Sequence, residues 1–289
     1  MKYEGRIFRP PSEAYSLIVQ ATIGCSHNKC DFCDMYKEKS FRVRDIQDVV
    51  DDLSHARPQI GTVNRIFIAD GDALILKTDN WVLLLEAIRK IFPECERVSC
   101  YASPHSILQK SADELKLLRK HGLSMVYMGL ESGSDDVLAS VNKGATAEQI
   151  VEAGIKAKDA GMKLSVTAIS GLGGTALWEE HAVKTGQALS RMKHDYIGLL
   201  SLMLEGITPL YERSAQGTFK VLTPMEIAAE TLLMLSNLDS DGSVFRSNHA
   251  SNYLMLGGNL NQDTERMKQE LRDALDGKVG YKSEGQRRL

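Results

Sequence analysis

Three cysteines within nine residues constrain this chain more than any other feature of its sequence. They are Cys25, Cys30 and Cys33, in the spacing C-x4-C-x2-C. The apolar run of residues 16–24 precedes them and is predicted to form a strand. In α/β folds the functional residues lie at the carboxyl ends of strands. The pattern therefore predicts three thiolates at the end of a strand, where a metal or cofactor would bind.

Three thiolates are one ligand fewer than a closed metal site requires. Structural zinc takes four ligands, and the usual ferredoxin cluster is also held by four cysteines. An open coordination position is typical of a metal centre that binds a substrate or a cofactor. Two interpretations stay open at this point: a [4Fe-4S] cluster with one open iron, or a zinc site in which His27 is the fourth ligand.

Composition and charge narrow the class of protein. The chain has 289 residues, and its net charge of −3 argues against a nucleic-acid-binding surface as its main function. No apolar run reaches the ~18 residues of a membrane span, and the N-terminus does not resemble a signal peptide, so we expect a cytoplasmic protein without a membrane partner. Five cysteines, three of them clustered, are typical of a metal site in a reducing compartment.

Six apolar strands alternate with amphipathic helices along the chain. The predicted strands cover residues 16–24, 65–69, 98–102, 125–130, 163–169 and 196–202. Continuous apolar strands are typical of a parallel sheet that is buried on both faces. The first turn lacks the glycine fingerprint of a dinucleotide-binding fold. We therefore predict an α/β fold: a partial (β/α)6 TIM-like barrel with a C-terminal α/β extension.

The predicted barrel occupies residues 16–210 of a single compact domain. Residues 1–15 contain two consecutive prolines and are expected to form an extended arm on the barrel. Residues 211–289 form the extension, which we expect to pack on the barrel mouth. Its charged tail from Gly277 is expected to be frayed. His181, on a predicted helix, is expected to be an exposed side chain.

The cysteine loop and a second motif resemble the radical S-adenosylmethionine (SAM) superfamily. Phe32, directly before the third cysteine, is typical of that family, although the first gap is one residue longer than the usual C-x3-C-x2-C. The second motif, residues 129–133 (Gly-Leu-Glu-Ser-Gly), is similar to a stretch of oxygen-independent coproporphyrinogen oxidases, tRNA methylthiotransferases and elongator-type enzymes. The resemblance implies a [4Fe-4S] cluster on the three cysteines, with SAM on the remaining iron. An electron from a flavodoxin- or ferredoxin-type donor would then yield a 5′-deoxyadenosyl radical, which abstracts hydrogen from a substrate.

The resemblance also implies which residues contact SAM. Asp70-Gly71-Asp72 stands where the family binds the ammonium group of SAM, although a plain turn is the alternative. Glu131 would accept hydrogen bonds from the ribose, and Lys143 would pair with the SAM carboxylate. After the fifth strand the sequence is similar to the adenine-flanking motif of the family, but the glutamate that ends that motif is missing. The further predicted SAM residues are Phe32, then Tyr101 and Ser103 near the ribose, and Ile169, Gly171 and Leu172 near the adenine.

A polar cluster near the C-terminal end of the chain is the candidate substrate site. It consists of Arg246, Asn248, His249, Ser251 and Asn252. The alternative is that its asparagines and serines only cap turns. No cobalamin-binding segment or nucleic-acid module is recognisable, which favours a small-molecule substrate. Two other functions stay open: a non-catalytic cofactor or tetrapyrrole carrier, and a zinc-stabilised barrel.

Overall fold

The computed structural model describes residues 1–204 and 206–287, which form two compact units. The two units do not coincide with the predicted arm, barrel and extension, and that division stays a prediction. The first unit consists of Met1–Asn28, Met35–Met128 and Lys156–Leu164, and the second of Lys29–Asp34, Gly129–Ile155 and Ser165–Leu289.

The N-terminal half of the chain alternates strands and helices. Its elements are β1 (Leu17–Gln20), β2 (Thr22–Ile23), β3 (Arg42–Val43), α1 (Ile46–Ala56), β4 (Arg65–Ala69), α2 (Thr78–Ile91), β5 (Arg97–Tyr101), α3 (Pro104–Gln109), α4 (Ala112–His121) and β6 (Leu123–Glu131). In the first unit, β1 pairs with β4, β4 with β5 and β5 with β6, and every pair is parallel. β2 and β3 form a short antiparallel pair. The parallel pairing follows from apolar strands that are connected by helices.

The start of the chain differs from the prediction in two places. The predicted strand 16–24 is interrupted at Ala21, whose amide donates to the carbonyl of Ala69. Apolar residues recur at helical spacing between Phe41 and Ala56 and predict a helix from residue 41, but the helix begins only at Ile46, because Arg42 and Val43 pair with β2. Asp45 caps the helix by accepting a hydrogen bond from the amide of Gln47, which marks its true start.

The C-terminal half contains the remaining strands and helices. Its elements are α5 (Asp135–Ser140), α6 (Ala147–Asp159), β7 (Lys163–Ser170), α7 (Gly174–Met192), β8 (Tyr196–Ser201), α8 (Pro209–Ala215), α9 (Pro224–Ser236), β9 (Val244–Ser247), β10 (Leu256–Asn259) and α10 (Thr264–Leu275). In the second unit, β7 pairs with β8 and β8 with β9 in parallel, and β10 pairs antiparallel with β9. The predicted α/β class with mostly parallel strands is confirmed.

Two predictions for the C-terminal part are wrong. The proline at position 209 predicts a break in the chain after the sixth strand, but Thr208-Pro209 begins α8. Proline is well suited to the first position of a helix, and the Thr208 side chain caps that helix. The tail is not frayed up to its last described residue, Arg287. The guanidinium of Arg287 is buried, donates to the carbonyls of Leu202 and Ser251, and lies 3.9 Å from the ring centroid of Tyr253.

Each unit has its own apolar core. In the first unit, the residues of β4 from Ile66 to Ala69 are fully buried, as is Trp81 on α2. In the second unit, Leu172 and Phe219 pack with the apolar face of α5. Among the described residues, no helix combines the length and the apolar composition that crossing a bilayer requires.

Candidate functional site

The cysteine loop begins directly after β2. Cys25 belongs to the first unit, whereas Cys30 and Cys33 belong to the second. The amide of Cys33 donates to the carbonyl of Cys30 at 3.3 Å, which forms a tight turn. All three side chains are partly exposed and are thiols rather than disulfides. Within residues 1–204 and 206–287, no group of three or more His, Cys, Asp or Glu side chains is arranged to hold a metal ion.

Asp70, at the end of β4, anchors the start of the cysteine loop. Its carboxylate is fully buried, and Oδ2 accepts hydrogen bonds from Gly24 N at 2.9 Å and Gln20 Nε2 at 2.8 Å. The ammonium of Lys39 lies 3.0 Å from the same oxygen and is almost fully buried. Asp70 therefore connects the residue before Cys25 to a buried cation. The other oxygen, Oδ1, is buried and has no hydrogen-bond partner among the described residues.

Gly71 and Asp72 complete the turn after β4. A side chain at Gly71 would collide with its neighbours, because a Cβ there would lie 3.0 Å from that of Cys25 and 2.7 Å from the ring of Tyr36. Asp72 is also fully buried. It accepts hydrogen bonds from Ser103 N at 2.9 Å, Ser103 Oγ at 2.8 Å, Ser106 Oγ at 2.6 Å and Ser26 Oγ. The structure thus brings the predicted residues Asp72 and Ser103 together.

Tyr101 lies at the end of β5, in an aromatic group of the first unit. Its ring stands edge-on to those of Phe67 and Tyr127, at centroid distances of 5.0 and 6.2 Å. Tyr127 in turn donates to the buried carboxylate of Glu13 in the N-terminal segment. Burial, followed by that hydrogen bond, raises the pKa of Tyr127 well above its usual range.

The second unit brings Glu131 and Lys143 together. Lys143 Nζ lies 3.0 Å from Glu131 Oε1, and both side chains are nearly buried. Glu131 has a φ of +64°, a left-handed conformation that residues other than glycine seldom adopt and that often marks functional sites. A Cβ at Gly129 would lie 1.9 Å from Glu131 Oε1, so only glycine leaves room for this carboxylate.

Three of the predicted SAM residues meet in one apolar cluster. Phe32, Ile169 and Leu172 pack together with the buried face of α5. Gly171, between the last two, has a φ of +86°, which favours glycine. The second unit therefore places an apolar cluster beside the main chain of the turn after β7.

Sequence reasoning missed Glu230, on α9. Its side chain is 2% exposed, and Oε1 accepts hydrogen bonds from Ser170 Oγ at 2.5 Å and from Gly171 N at 2.7 Å. Oε2 is buried without a hydrogen-bond partner among the described residues. Burial raises the pKa of Glu230 to about 7, and the two hydrogen bonds oppose that rise. Its position 59 residues after Gly171 left no pattern that could have linked the two.

His181 is not the exposed side chain that the helical pattern predicted. It is 2% exposed, and its Nδ1 lies 2.8 Å from Ser132 Oγ. Burial lowers the pKa of His181 to about 4, and a hydrogen bond to the main chain of Ile169 opposes that shift. The amphipathic pattern of α7 places polar residues on the exposed face, but His181 lies on the buried face, where Ser132 is its polar partner.

The predicted substrate cluster divides into exposed and buried residues. Arg246 and Asn248 are exposed, and His249 is half-buried with Nδ1 at 2.9 Å from Ser251 Oγ. Asn252 is 1% exposed; its amide donates to the carbonyl of Leu199 and accepts from Ser201 Oγ. These bonds hold Asn252 to β8, and its role toward a substrate stays a prediction.

The residues present have the chemistry that a [4Fe-4S] cluster and SAM require. Three thiols on one short loop can supply three thiolates and leave one iron open. The unpartnered Oδ1 of Asp70, directly beside the turn that contacts Cys25, is an acceptor suited to a cationic ligand group.

Comparison with other proteins places these features in a known family. The sequence profile described as the radical SAM superfamily matches residues 19–185, more than half of the chain. The heme chaperone HemW of Bacillus subtilis is 24% identical over 229 residues, which is 75% of this chain and 58% of that protein. A protein of Methanocaldococcus jannaschii named provisionally as a methylthiotransferase is 27% identical over 155 residues, which is 52% of this chain and 34% of that protein. The chain spans less than two thirds of the length of either relative.

A solved structure confirms the fold. Coproporphyrinogen III oxidase (HemN) from Escherichia coli, whose structure is described as that of a radical SAM enzyme, superimposes with a TM-score of 0.56 at 22% identity. The match covers 76% of this chain and 52% of that protein. Likeness at this identity establishes a common fold, which is the α/β fold predicted from the sequence.

Proposed function

Because the chain belongs to the radical SAM superfamily, we propose that it is a radical SAM enzyme that acts on a small molecule. When bound, the [4Fe-4S] cluster and SAM supply a 5′-deoxyadenosyl radical that abstracts hydrogen from the substrate. The observation that carries the proposal is the loop of Cys25, Cys30 and Cys33 inside the matched region. The protein itself supplies binding, orientation and exclusion of water.

The proposed roles of the other residues follow from their contacts. Asp70 fixes Gly24, and with it the first cysteine, while its Oδ1, which has no hydrogen-bond partner among the described residues, would accept from the SAM ammonium group. Glu131, in its left-handed conformation, would accept from the ribose, and Lys143 beside it would pair with the SAM carboxylate. A point charge such as an ammonium suits that carboxylate without the bidentate geometry of arginine. An electron donor of the flavodoxin or ferredoxin type completes the proposal.

Anaerobic reconstitution with iron and sulfide, followed by dithionite and SAM, tests the proposed reaction. We expect a brown protein that produces 5′-deoxyadenosine, detected by mass spectrometry. The Cys30→Ala variant is expected to lose both the colour and the product. Cys95→Ala is the matched control, since Cys95 is a half-buried thiol outside the loop and is expected to change neither. A colourless wild-type protein that holds one zinc ion would contradict the proposal.

A second candidate is a carrier of a cofactor or tetrapyrrole, and the similarity to a heme chaperone favours it. A carrier would hold the cluster but would have no need to cleave SAM. The same experiment separates the two functions, because a brown protein that binds heme and makes no 5′-deoxyadenosine would be a carrier. The exposed polar residues Arg246 and Asn248, with His249, are then the first positions to alter for loss of ligand binding.

A further inference from the structure

Helix α9 fixes the turn that follows β7. A single oxygen of Glu230 accepts hydrogen bonds from the hydroxyl of Ser170 and the amide of Gly171. One helical turn earlier, Ile227 packs on the same glycine, since a Cβ at Gly171 would lie 2.9 Å from Ile227 Cδ1. One polar and one apolar contact from α9 therefore determine where the main chain of this turn lies.

His181 connects the same turn to the segment after β6. Ser132 Oγ accepts from the amide of Ser134 at 3.0 Å, which leaves its hydroxyl hydrogen for His181 Nδ1. The ring proton then belongs on Nε2, which lies 3.8 Å from Glu230 Oε1. The ring also hydrogen-bonds the main chain of Ile169. A buried polar bridge thus runs from Ser132, beside Glu131, to the end of β7.

We propose that Glu230 and His181 are positioning residues for SAM, which hold the ribose-side segment after β6 and the adenine-side turn after β7 at their working separation. The proposal rests on the proposed function. The resemblance implies a glutamate at the end of the adenine-flanking motif, and this chain has none there. The geometry of α9 brings the carboxyl group of Glu230 to that turn from a distant part of the sequence. A bridge built from fully buried groups that are hydrogen-bonded to their neighbours is rigid, which suits the positioning of a ligand.

Two substitutions of similar size at position 230 test the proposal. Glu230→Leu keeps the volume but removes the acceptor oxygen, whereas Glu230→Gln keeps one acceptor for Gly171. The measurement is the dissociation constant of SAM for the cluster-loaded full chain, by anaerobic equilibrium dialysis, together with iron content and melting temperature. We expect SAM affinity to fall about tenfold or more in Glu230→Leu, because both hydrogen bonds to the turn are lost. Glu230→Gln is expected to stay within about threefold of wild type, with iron content unchanged in both.

Controls separate a positioning role from a general loss of structure. Ser236→Ala, at the exposed end of the same helix, is expected to bind SAM as wild type does. If Glu230→Leu does not fold, Ser170→Ala tests the same contact from the other side and is expected to weaken SAM binding about threefold or more. Equal affinity in wild type and Glu230→Leu, or an equal loss in Leu and Gln variants, would overturn the inference. A cluster-loaded wild type that does not bind SAM would instead refute the proposed function, and this inference with it.

Discussion

Asp70 in the first unit and Glu230 in the second are both buried carboxyl groups near the end of a parallel strand, yet their charges are balanced differently. Asp70 Oδ2 receives two neutral donors and the ammonium of Lys39. Glu230 Oε1 accepts from two neutral donors and, among the described residues, forms no ion pair with a lysine or arginine. Burial lowers the pKa of His181, whose Nε2 lies 3.8 Å away, to about 4. A buried charge requires an opposite charge, and a carboxyl group without one retains its proton to a higher pH. Neutral donors therefore fix the position of a buried carboxyl group, while a neighbouring cation determines its charge.

Removing the carboxylate of the Asp70–Lys39 ion pair has the largest expected effect on stability. Asp70→Ala leaves the ammonium of Lys39 buried without a counter-ion, which is expected to cost about 3–5 kcal/mol in the free energy of unfolding. Urea denaturation of the full chain measures this loss. The double variant Asp70→Leu/Lys39→Met removes both charges and is expected to recover part of the stability. A loss below about 1 kcal/mol in Asp70→Ala would show that Lys39 does not depend on this partner.

Glu230 is expected to make the stability of the protein depend on pH. The pKa of Glu230 is raised from 4.5 to about 7, so its contribution to stability is fully present below pH 4.5 and is lost as the pH rises through 7. His181 has the opposite sign: its pKa is lowered from 6.5 to about 4, so its contribution is present above pH 6.5 and lost as the pH falls through 4. The Glu230→Gln variant removes only the pH dependence that comes from residue 230 and keeps that of His181.

We therefore expect Glu230→Gln to gain stability relative to wild type as the pH rises from 5 to 8, by at most about 3 kcal/mol. Melting temperatures of both proteins at a series of pH values measure the difference, and the contribution of His181 is present in both. The Ser236→Ala variant serves as the pH-independent reference. A difference that shrinks with rising pH would contradict the assignment of Glu230 as the titrating group.

Sequence reasoning located the strands well because each of them is rich in apolar residues. The prediction of residues 65–69 coincides with β4, and the predictions for β7 and β8 miss their ends by one residue. Burial on both faces of a parallel strand leaves a signal within the strand itself. The short strands β2 and β3 left none, since two residues are too few to show a period.

The polar partners in the candidate site were harder to predict. Asp72 and Ser103 follow neighbouring strands, and their proximity follows from parallel pairing. Lys39, His181 and Glu230 lie 31, 49 and 60 residues from the groups they contact, Asp70, Ser132 and Ser170. A buried ionisable residue of this kind looks like any surface residue in the sequence, because its partner is set by tertiary structure. The roles assigned to individual residues toward SAM stay predictions.

A smaller effect is expected from a single donor in the first unit. Ser106→Ala removes the hydrogen bond of 2.6 Å to Asp72 and the one that Ser106 Oγ accepts from Ser103 N at 3.1 Å, but three other donors to Asp72 remain. The expected loss in the free energy of unfolding is about 1 kcal/mol, and urea denaturation measures it. Ser54→Ala is the matched control on an exposed helical face, where the serine bonds only within its own helix. A loss as large as that of Asp70→Ala would mean that donor number, rather than the cation, keeps these carboxylates in place.

The smallest effect on stability is expected for an exposed ion pair, Glu148 with Arg191, which tests how much burial contributes to the strength of such pairs. Glu148 accepts two hydrogen bonds from Arg191, at 2.7 and 2.8 Å, so it has both a cation and good geometry. Both side chains are more than half exposed, and water screens their attraction. Arg191→Ala is therefore expected to leave the melting temperature unchanged within experimental error, and addition of salt is expected to make no difference to that result. Because this pair matches the Lys39–Asp70 pair in charge and exceeds it in hydrogen bonds, a clear loss of stability here would show that contact geometry, and not burial, sets the strength of such pairs in this protein.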